Sequence, residues 1–334
     1  MDEHRWSPRT PRATDLVRPL RVDVRGVSGP TKSQARGPRW RQTSAGMYVP
    51  ADTDGSHVEQ RILEQGSRIR MHGAVTGWAA LRWRGATFFD GTAAADELLP
   101  VPVVVGHGLL RPDPRISISW EQLPPGEREV VDGVWTAVAE RALFDEVRRH
   151  RIPRQAVVDI EMAIVAREVS AGGFRAYVAS RNAWTGVGLA RDVAAVAGLG
   201  CWSPQEVRMV LAWMWDADLP RPLCNTPVFD LDGNLLAIPD LFDEMGCAGE
   251  YQGADHKDGQ RHRQDVARHE RLRTAGIEVF EVVGGDLLDT DLVVTRMRAA
   301  RERCLLLPPD RRRWTLERPA WWEPWARARG LESL

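Results

Sequence analysis

The sequence predicts an α/β C-terminal domain, a central mixed sheet flanked by helices, preceded by an α+β, mostly helical N-terminal domain. Three observations predict it. From residue 201 onward the periodicities read α-β-β-β-α-β-α. Between 134 and 199, four runs repeat their apolar residues at helical spacing. The 334 residues exceed what one hydrophobic core usually organises, and 43% hydrophobic with 27% charged residues is the composition of a folded, water-exposed chain.

Residues 1–26 carry Arg5, Arg9, Arg12, Arg18, Arg21 and Arg25 among Pro, Thr and Asp without apolar period, which predicts a disordered Arg-rich arm. In 27–50, Thr31-x-x-Gln34 is a capping box, followed by Arg36, Arg39, Arg41 and the strand-like Gly46-Met47-Tyr48-Val49. A short helix and a hairpin make the outline of a truncated winged helix, whose arginines could face DNA or merely solvent. In 51–200, Ser56-x-x-Glu59 caps a helix bearing Val58, Ile62 and Ile69, and Thr76 to Leu81 starts another. Strands follow at Pro102 to Val105 and Ile116 to Ser119, then helices at Val138 to Val147, Ala156 to Val169, Phe174 to Ala179 and Leu189 to Leu199.

The 201–307 domain opens on Ser203-Pro204-Gln205-Glu206, with Ser at the cap, Pro at the first helical position and Glu at the third. Val228 to Leu231, the turn Asp232-Gly233 and Leu235 to Phe242 read as a hairpin, and Cys247 to Tyr251 as a further strand. A charged helix from Asp258 stops at Gly276, Ile277 to Val283 is a strand, and Asp286 opens a closing helix. The 308–334 tail mixes arginine with Trp314, Trp321, Trp322 and Trp325. Base stacking and packing across a neighbouring core both suit it.

A formal net charge of -1 gives no global basic field, so nucleic-acid affinity would rest on local arginine clusters; Lys32 and Lys257 are the only lysines. No apolar run is long enough to span a membrane, and the start lacks the apolar core of a signal peptide, so a cytoplasmic protein with no membrane partner is expected. Cys201, Cys224, Cys247 and Cys304 form no Cys-x-x-Cys pair, which argues against a zinc knuckle or disulfide framework. Val282-Val283-Gly284-Gly285-Asp286 is ordinary turn chemistry rather than a phosphate loop, so no nucleotide cofactor is expected.

The chemistry-bearing residues sit on the strands of the second domain. Asp240 and Glu250 end successive strands joined by Asp243-Glu244-Met245-Gly246, so antiparallel pairing would bring them together. Gln252 shares the face of Glu250, because strand side chains alternate. Mg²⁺ takes one or two carboxylates plus water and phosphate oxygens, so the pair suits Mg²⁺ or Mn²⁺. Glu206 is either a third acid over the sheet edge or a capping glutamate. His256 could orient water or protonate a leaving oxygen, or be an idle loop histidine. Arg263, Arg268 and Arg271 either clamp phosphates or pair with Asp265 and Glu270 along the helix.

Pro239-Asp240 followed by Glu250-Tyr251-Gln252, with Glu206 before and an Arg-rich helix after, resembles the PD-(D/E)XK nuclease superfamily. Gly249-Glu250-Tyr251-Gln252-Gly253 with His256, Arg263, Asp265, Arg268 and Gly276 is similar to the very-short-patch-repair-like endonuclease domains of actinobacterial proteins. The resemblance covers about 100 residues. It implies a restriction-endonuclease-like fold and a metal-dependent DNA endonuclease. Asp240, Glu250 and the Tyr251 carbonyl would then hold the metal, Glu206 would bind a second ion or a bridging water, and Gln252 would position the nucleophile. Gly46-Met47-Tyr48-Val49-Pro50 and Glu140-Arg141-Ala142-Leu143-Phe144-Asp145 resemble antitoxins of abortive-infection systems, which leaves a toxin or regulatory partner open. The superfamily places Lys where this chain has Gln252, and Gln carries no charge to offer water or phosphate; Lys257 is the nearest substitute. The alternative is therefore a DNA-binding, antitoxin-like regulator keeping an inactive nuclease fold.

Overall fold

A computed structural model describes residues 7–69, 72–93, 96–106, 110–252 and 268–331. The protein is mixed α/β, and its contacts divide it into two units, Met1–Ala197 and Gly198–Leu334. Among the described residues no helix is long and apolar enough to cross a membrane.

In the first unit, β1 (Leu20–Arg21), β2 (Trp40–Ser44) and β3 (Met47–Pro50) form an antiparallel sheet in the order β1-β3-β2. Thr31 and Gln34 make the expected reciprocal cap, Thr31 N–H to Gln34 Oε1 at 2.8 Å and Gln34 N–H to Thr31 Oγ1 at 3.3 Å. It caps only a single 3-10 turn, Gln34–Arg36, because Gly37-Pro38 ends it at once. The truncated winged helix therefore lacks a helix to read a groove.

The expected disordered arm also needs correction over its described part. Arg12 lies 4.1 Å over the Trp83 ring and donates to Asp132 and the Trp83 carbonyl, while Arg9 donates to the Ala166 carbonyl and Glu168. The Gln60 side chain grips both backbone groups of Val17, at 2.9 and 2.8 Å. These anchors are polar, so an apolar-period search passes over them.

Helices α1 (Val58–Gly66) and α2 (Gly77–Trp83) pack beside a five-stranded sheet in the order β6-β5-β4-β8-β7. Its strands are β4 (Ala74–Val75), β5 (Val101–Val104), β6 (Ile116–Ser119), β7 (Arg128–Val131) and β8 (Val134–Ala137). The mostly helical expectation missed β7–β8, although Asp132-Gly133 carries the signature of a tight hairpin, both residues at positive φ (44° and 76°). The expected Ser56 cap is absent: His57 takes the cap position and Ser56 bonds Asp54 instead. Helices α3 (Ala139–Val147), α4 (Pro153–Val165), α5 (Ala171–Ala179) and α6 (Val187–Val196) complete the unit. Fully buried Arg141 ties α3 to Glu127 at 2.7 Å and pairs with Asp145 of the same helix at 3.0 Å.

The second unit begins with α7 (Pro204–Leu211), which runs into a π turn over Ala212–Asp216. Leu235 to Phe242 is not one strand. Pro239, with no N–H to give a ladder, separates β10 (Leu235–Ala237) from β11 (Leu241–Asp243). The two join different sheets: β10 pairs with β9 (Val228–Asp230), and β11 pairs antiparallel with β12 (Cys247–Gln252). Strand β13 (Glu278–Val283) lies parallel to β12, making the sheet β11-β12-β13 mixed.

Helix α8 is described over 268–274 and stops at Gly276, φ +79°, where a Cβ would stand 2.3 Å from the Arg311 carbonyl. After α9 (Thr290–Leu306), β14 (Trp314–Thr315) adds to β9, and α10 (Trp322–Arg327) buries Trp322 against Phe229. The tail thus packs on the unit's own core. A second apolar cluster joins Val228, Phe242, Ala248, Leu272 and Ile277, with Trp314 and Leu316 against it.

Candidate functional site

The pairing of β11 with β12 sets the site. Leu241 faces Gly249, so one step outward Asp240 stands opposite Glu250. Gly249 is required there because the Phe280 ring fills its side: a Cβ would come 2.4 Å from Phe280 Cζ. Phe280 in turn stacks on Trp213 from the π turn, with ring centroids 5.8 Å apart and planes 8° from parallel. That packing fixes β12 and turns Glu250 to the opposite face.

Asp240 Oδ2 accepts the Tyr251 backbone N–H at 2.7 Å. A strand residue's N–H and C=O point to the same side, so the Tyr251 carbonyl also faces the Asp240 side. Burial pushes the Asp240 carboxyl up to about 8, the charges of Glu206 and Glu250 add to this, and the Tyr251 bond and Arg268 only partly oppose it. Glu206 sits on α7, where Ser203 Oγ accepts its N–H at 3.3 Å. Its carboxylate accepts the Trp202 N–H at 2.7 Å and the Asn225 amide at 2.9 Å. Glu206 thus bonds the Trp202 N–H just ahead of the Ser203 cap rather than the cap residue itself, and its charge acts on the neighbouring Asp240 carboxyl.

Glu250 is gripped by Arg268, Nη1 to Oε1 and Nη2 to Oε2, each 2.5 Å. His269 Nε2 lies 3.5 Å from Glu250 Oε2 and 3.5 Å from Glu281 Oε1. Burial raises the Glu250 carboxyl, but the His269 hydrogen bond and Arg268 outweigh it and hold the group below its ordinary value. The same bond, against partial burial, holds the His269 imidazole above its ordinary value. Gln252 donates to Glu281 at 2.7 Å. Ligand atoms of Glu250, His269 and Glu281 all lie within 4.8 Å of one another, within reach of one ion.

Glu250, His269 and Glu281 could together hold a divalent cation once Arg268 releases an oxygen of Glu250. Carboxylates and a carbonyl suit Mg²⁺, and the neighbouring imidazole favours Mn²⁺ or another first-row ion. The site opens on a groove of about 630 Å³, lined by His269, Arg273, Glu278, Glu281, Arg296 and Arg303. Arg296 pairs with Asp286, and Arg303 with Glu278 at 2.8 Å.

The expected site residues thus fall into three groups. Asp240, Glu250, Tyr251, Gln252 and Glu206 come together. His256 and Arg263, with Lys257 and Asp265, lie outside the described residues. Arg268, expected on phosphate, is turned onto Glu250, while Arg271 is exposed on α8. In the first unit Arg36 and Arg39 are exposed, but Arg41 is tied to buried Glu64 at 2.6 Å and so is not free for phosphate. His269 and Glu281 were missed as site members. Glu278 and Glu281 both interrupt the apolar run 277–283, so that pattern alone does not single Glu281 out. Comparison with known proteins finds no matching family model, no matching curated protein and no matching solved structure.

Proposed function

We propose that the second unit is a metal-dependent DNA endonuclease of PD-(D/E)XK type, with a restriction-endonuclease-like architecture around β11-β12-β13. The observation that carries this reading is the convergence of Asp240 with Glu250 and Glu206; burial first, and then the charges of Glu206 and Glu250, push the Asp240 carboxyl up to about 8. Arg268 and His269 already serve Glu250, and a divalent cation would supply positive charge to Asp240 and Glu206 as well.

Asp240, Glu250 and the Tyr251 carbonyl would hold Mg²⁺ or Mn²⁺, whose chemistry is to polarise a phosphate and acidify water. Glu206, whose charge raises the Asp240 carboxyl, would bind a second ion or a bridging water. Gln252, steadied by Glu281, positions the attacking water, and the His269 imidazole beside Glu250 can carry a proton to or from the groove. Cleavage of supercoiled plasmid in Mg²⁺ or Mn²⁺ tests this. Asp240→Asn should lose it while keeping the fold, and wild-type cleavage by that variant excludes the assignment.

A second reading is favoured by Arg268, which occupies both oxygens of Glu250, and by neutral Gln252 in the lysine position. On it the chain is a DNA-binding, antitoxin-like regulator without turnover. Binding to duplex would then weaken steeply with salt, with no scission in any metal.

A further inference from the structure

The first unit carries a separate set of ligand side chains at the turn between α3 and α4. Glu146 lies in the last turn of α3, His150 in the connection, and Asp159 two turns into α4. Their ligand atoms all lie within 4.8 Å of one another. His150 Nε2 stands 2.5 Å from Asp159 Oδ2.

Each acid is held by an outer partner on one oxygen, and the other oxygen of Asp159 faces His150. The Gln155 amide donates to Asp159 Oδ1 at 3.0 Å, and the Trp78 backbone N–H donates to Glu146 Oε2 at 2.8 Å. Such outer hydrogen bonds orient first-shell ligands in metal sites. Gly77 completes the cradle: a Cβ there would stand 2.7 Å from Glu146 Oε2, so only glycine lets this carboxylate lie against the start of α2.

Asp159 is 4% exposed, and two carboxyls face one imidazole. The neighbouring Arg149 lies 3.5 Å from Glu121. A dication among these groups neutralises both acids at once.

We propose that Glu146, His150 and Asp159 form a divalent-cation site that pins the α3–α4 turn to the start of α2. One imidazole with two carboxylates selects a first-row ion, Zn²⁺ foremost, over Mg²⁺ or Ca²⁺, and leaves a fourth position open. The site is independent of the nuclease reading, since it uses none of the residues of the second unit.

The test uses the full chain carrying His269→Gln, which removes the imidazole of the other cluster. Stripped of metal and titrated with Zn²⁺ against a chromophoric chelator, it should bind one ion per chain, and its melting temperature should rise. Adding His150→Gln or Asp159→Asn should weaken that equivalent tenfold or more, with circular dichroism reporting that the metal-free fold is kept. Asp159→Asn keeps the side-chain shape and decides the matter where His150→Gln does not fold. No Zn²⁺ bound by the His269→Gln chain, or an equivalent unchanged in Asp159→Asn, overturns the proposal.

Discussion

Arg268 holds Glu250 through two parallel hydrogen bonds of 2.5 Å, and the acid's side chain is only 8% exposed. A nuclease site must release one of its ligands from such a grip before a cation can use it. Arg268→Ala leaves a buried carboxylate with His269 as its remaining cation, which should cost about 1–3 kcal/mol of stability. Mn²⁺ should then restore more of the melting temperature in the variant than it adds to wild type. Thermal unfolding with and without Mn²⁺ measures both, and equal Mn²⁺ shifts would remove Glu250 from the ligand set.

The Asp240 carboxyl titrates near 8 in the fold against an ordinary value of 3.8. Between those values the folded protein keeps a proton that the unfolded chain has lost. Stability therefore falls as pH rises through that window, with a slope of up to about 1.4 kcal/mol per pH unit. Asp240→Asn should flatten the fall, so that without metal the variant gains on wild type toward pH 9. Because the cation displaces that proton, Mn²⁺ stabilisation of wild type should grow from pH 6 to pH 9. Urea midpoints across the range check the sign.

Ser203 and Glu206 share one helix cap but not one role. Ser203→Ala should lose about 1 kcal/mol and keep any cleavage. Glu206→Gln can still accept from Trp202 and Asn225, so it should change stability little while reducing cleavage. Parallel plasmid assays and urea titrations separate them; equal effects on both readouts would make Glu206 a cap alone.

Trp322 and Trp321 are adjacent but differently placed. Trp322 is fully buried against Phe229, and Trp321 is 41% exposed. Trp322→Ala should cost about 3–5 kcal/mol, whereas Trp321→Ala should cost far less. Comparable losses in calorimetry would contradict the tail's place in the core.

Arg36 and Arg39 are exposed, whereas Arg41 is engaged by Glu64. If the first unit touches DNA, Arg36→Ala or Arg39→Ala should each lower the salt dependence of binding by about one ion. Arg41→Ala should instead lower stability, because it strands buried Glu64. Fluorescence anisotropy at several salt concentrations distinguishes the two effects.

How much of this was legible in the sequence depends on how local each contact is. Asp240 opposite Glu250 could be read because a short turn ending at Gly246 (φ +95°) fixes the antiparallel register. Glu281 beside Glu250 could not, since parallel pairing joins strands with no turn between them to set the register. The same non-locality hid the Arg9 and Arg12 anchors, which bond to residues far along the chain. Asp132-Gly133 was legible and overlooked. The split at Pro239 was legible too, for a proline inside a strand pattern argues against one continuous strand.

The addition of β14 to β9 has a bearing on biosynthesis. Trp314 and Leu316 cover the cluster around Phe242 and Ala248, and Trp322 covers Phe229, so both apolar centres of the second unit wait for residues made much later. During translation the acids on β11 and β12 have already left the ribosome while their support is still being synthesised. A nascent chain halted before residue 314 would therefore lack the side chains that cover both clusters.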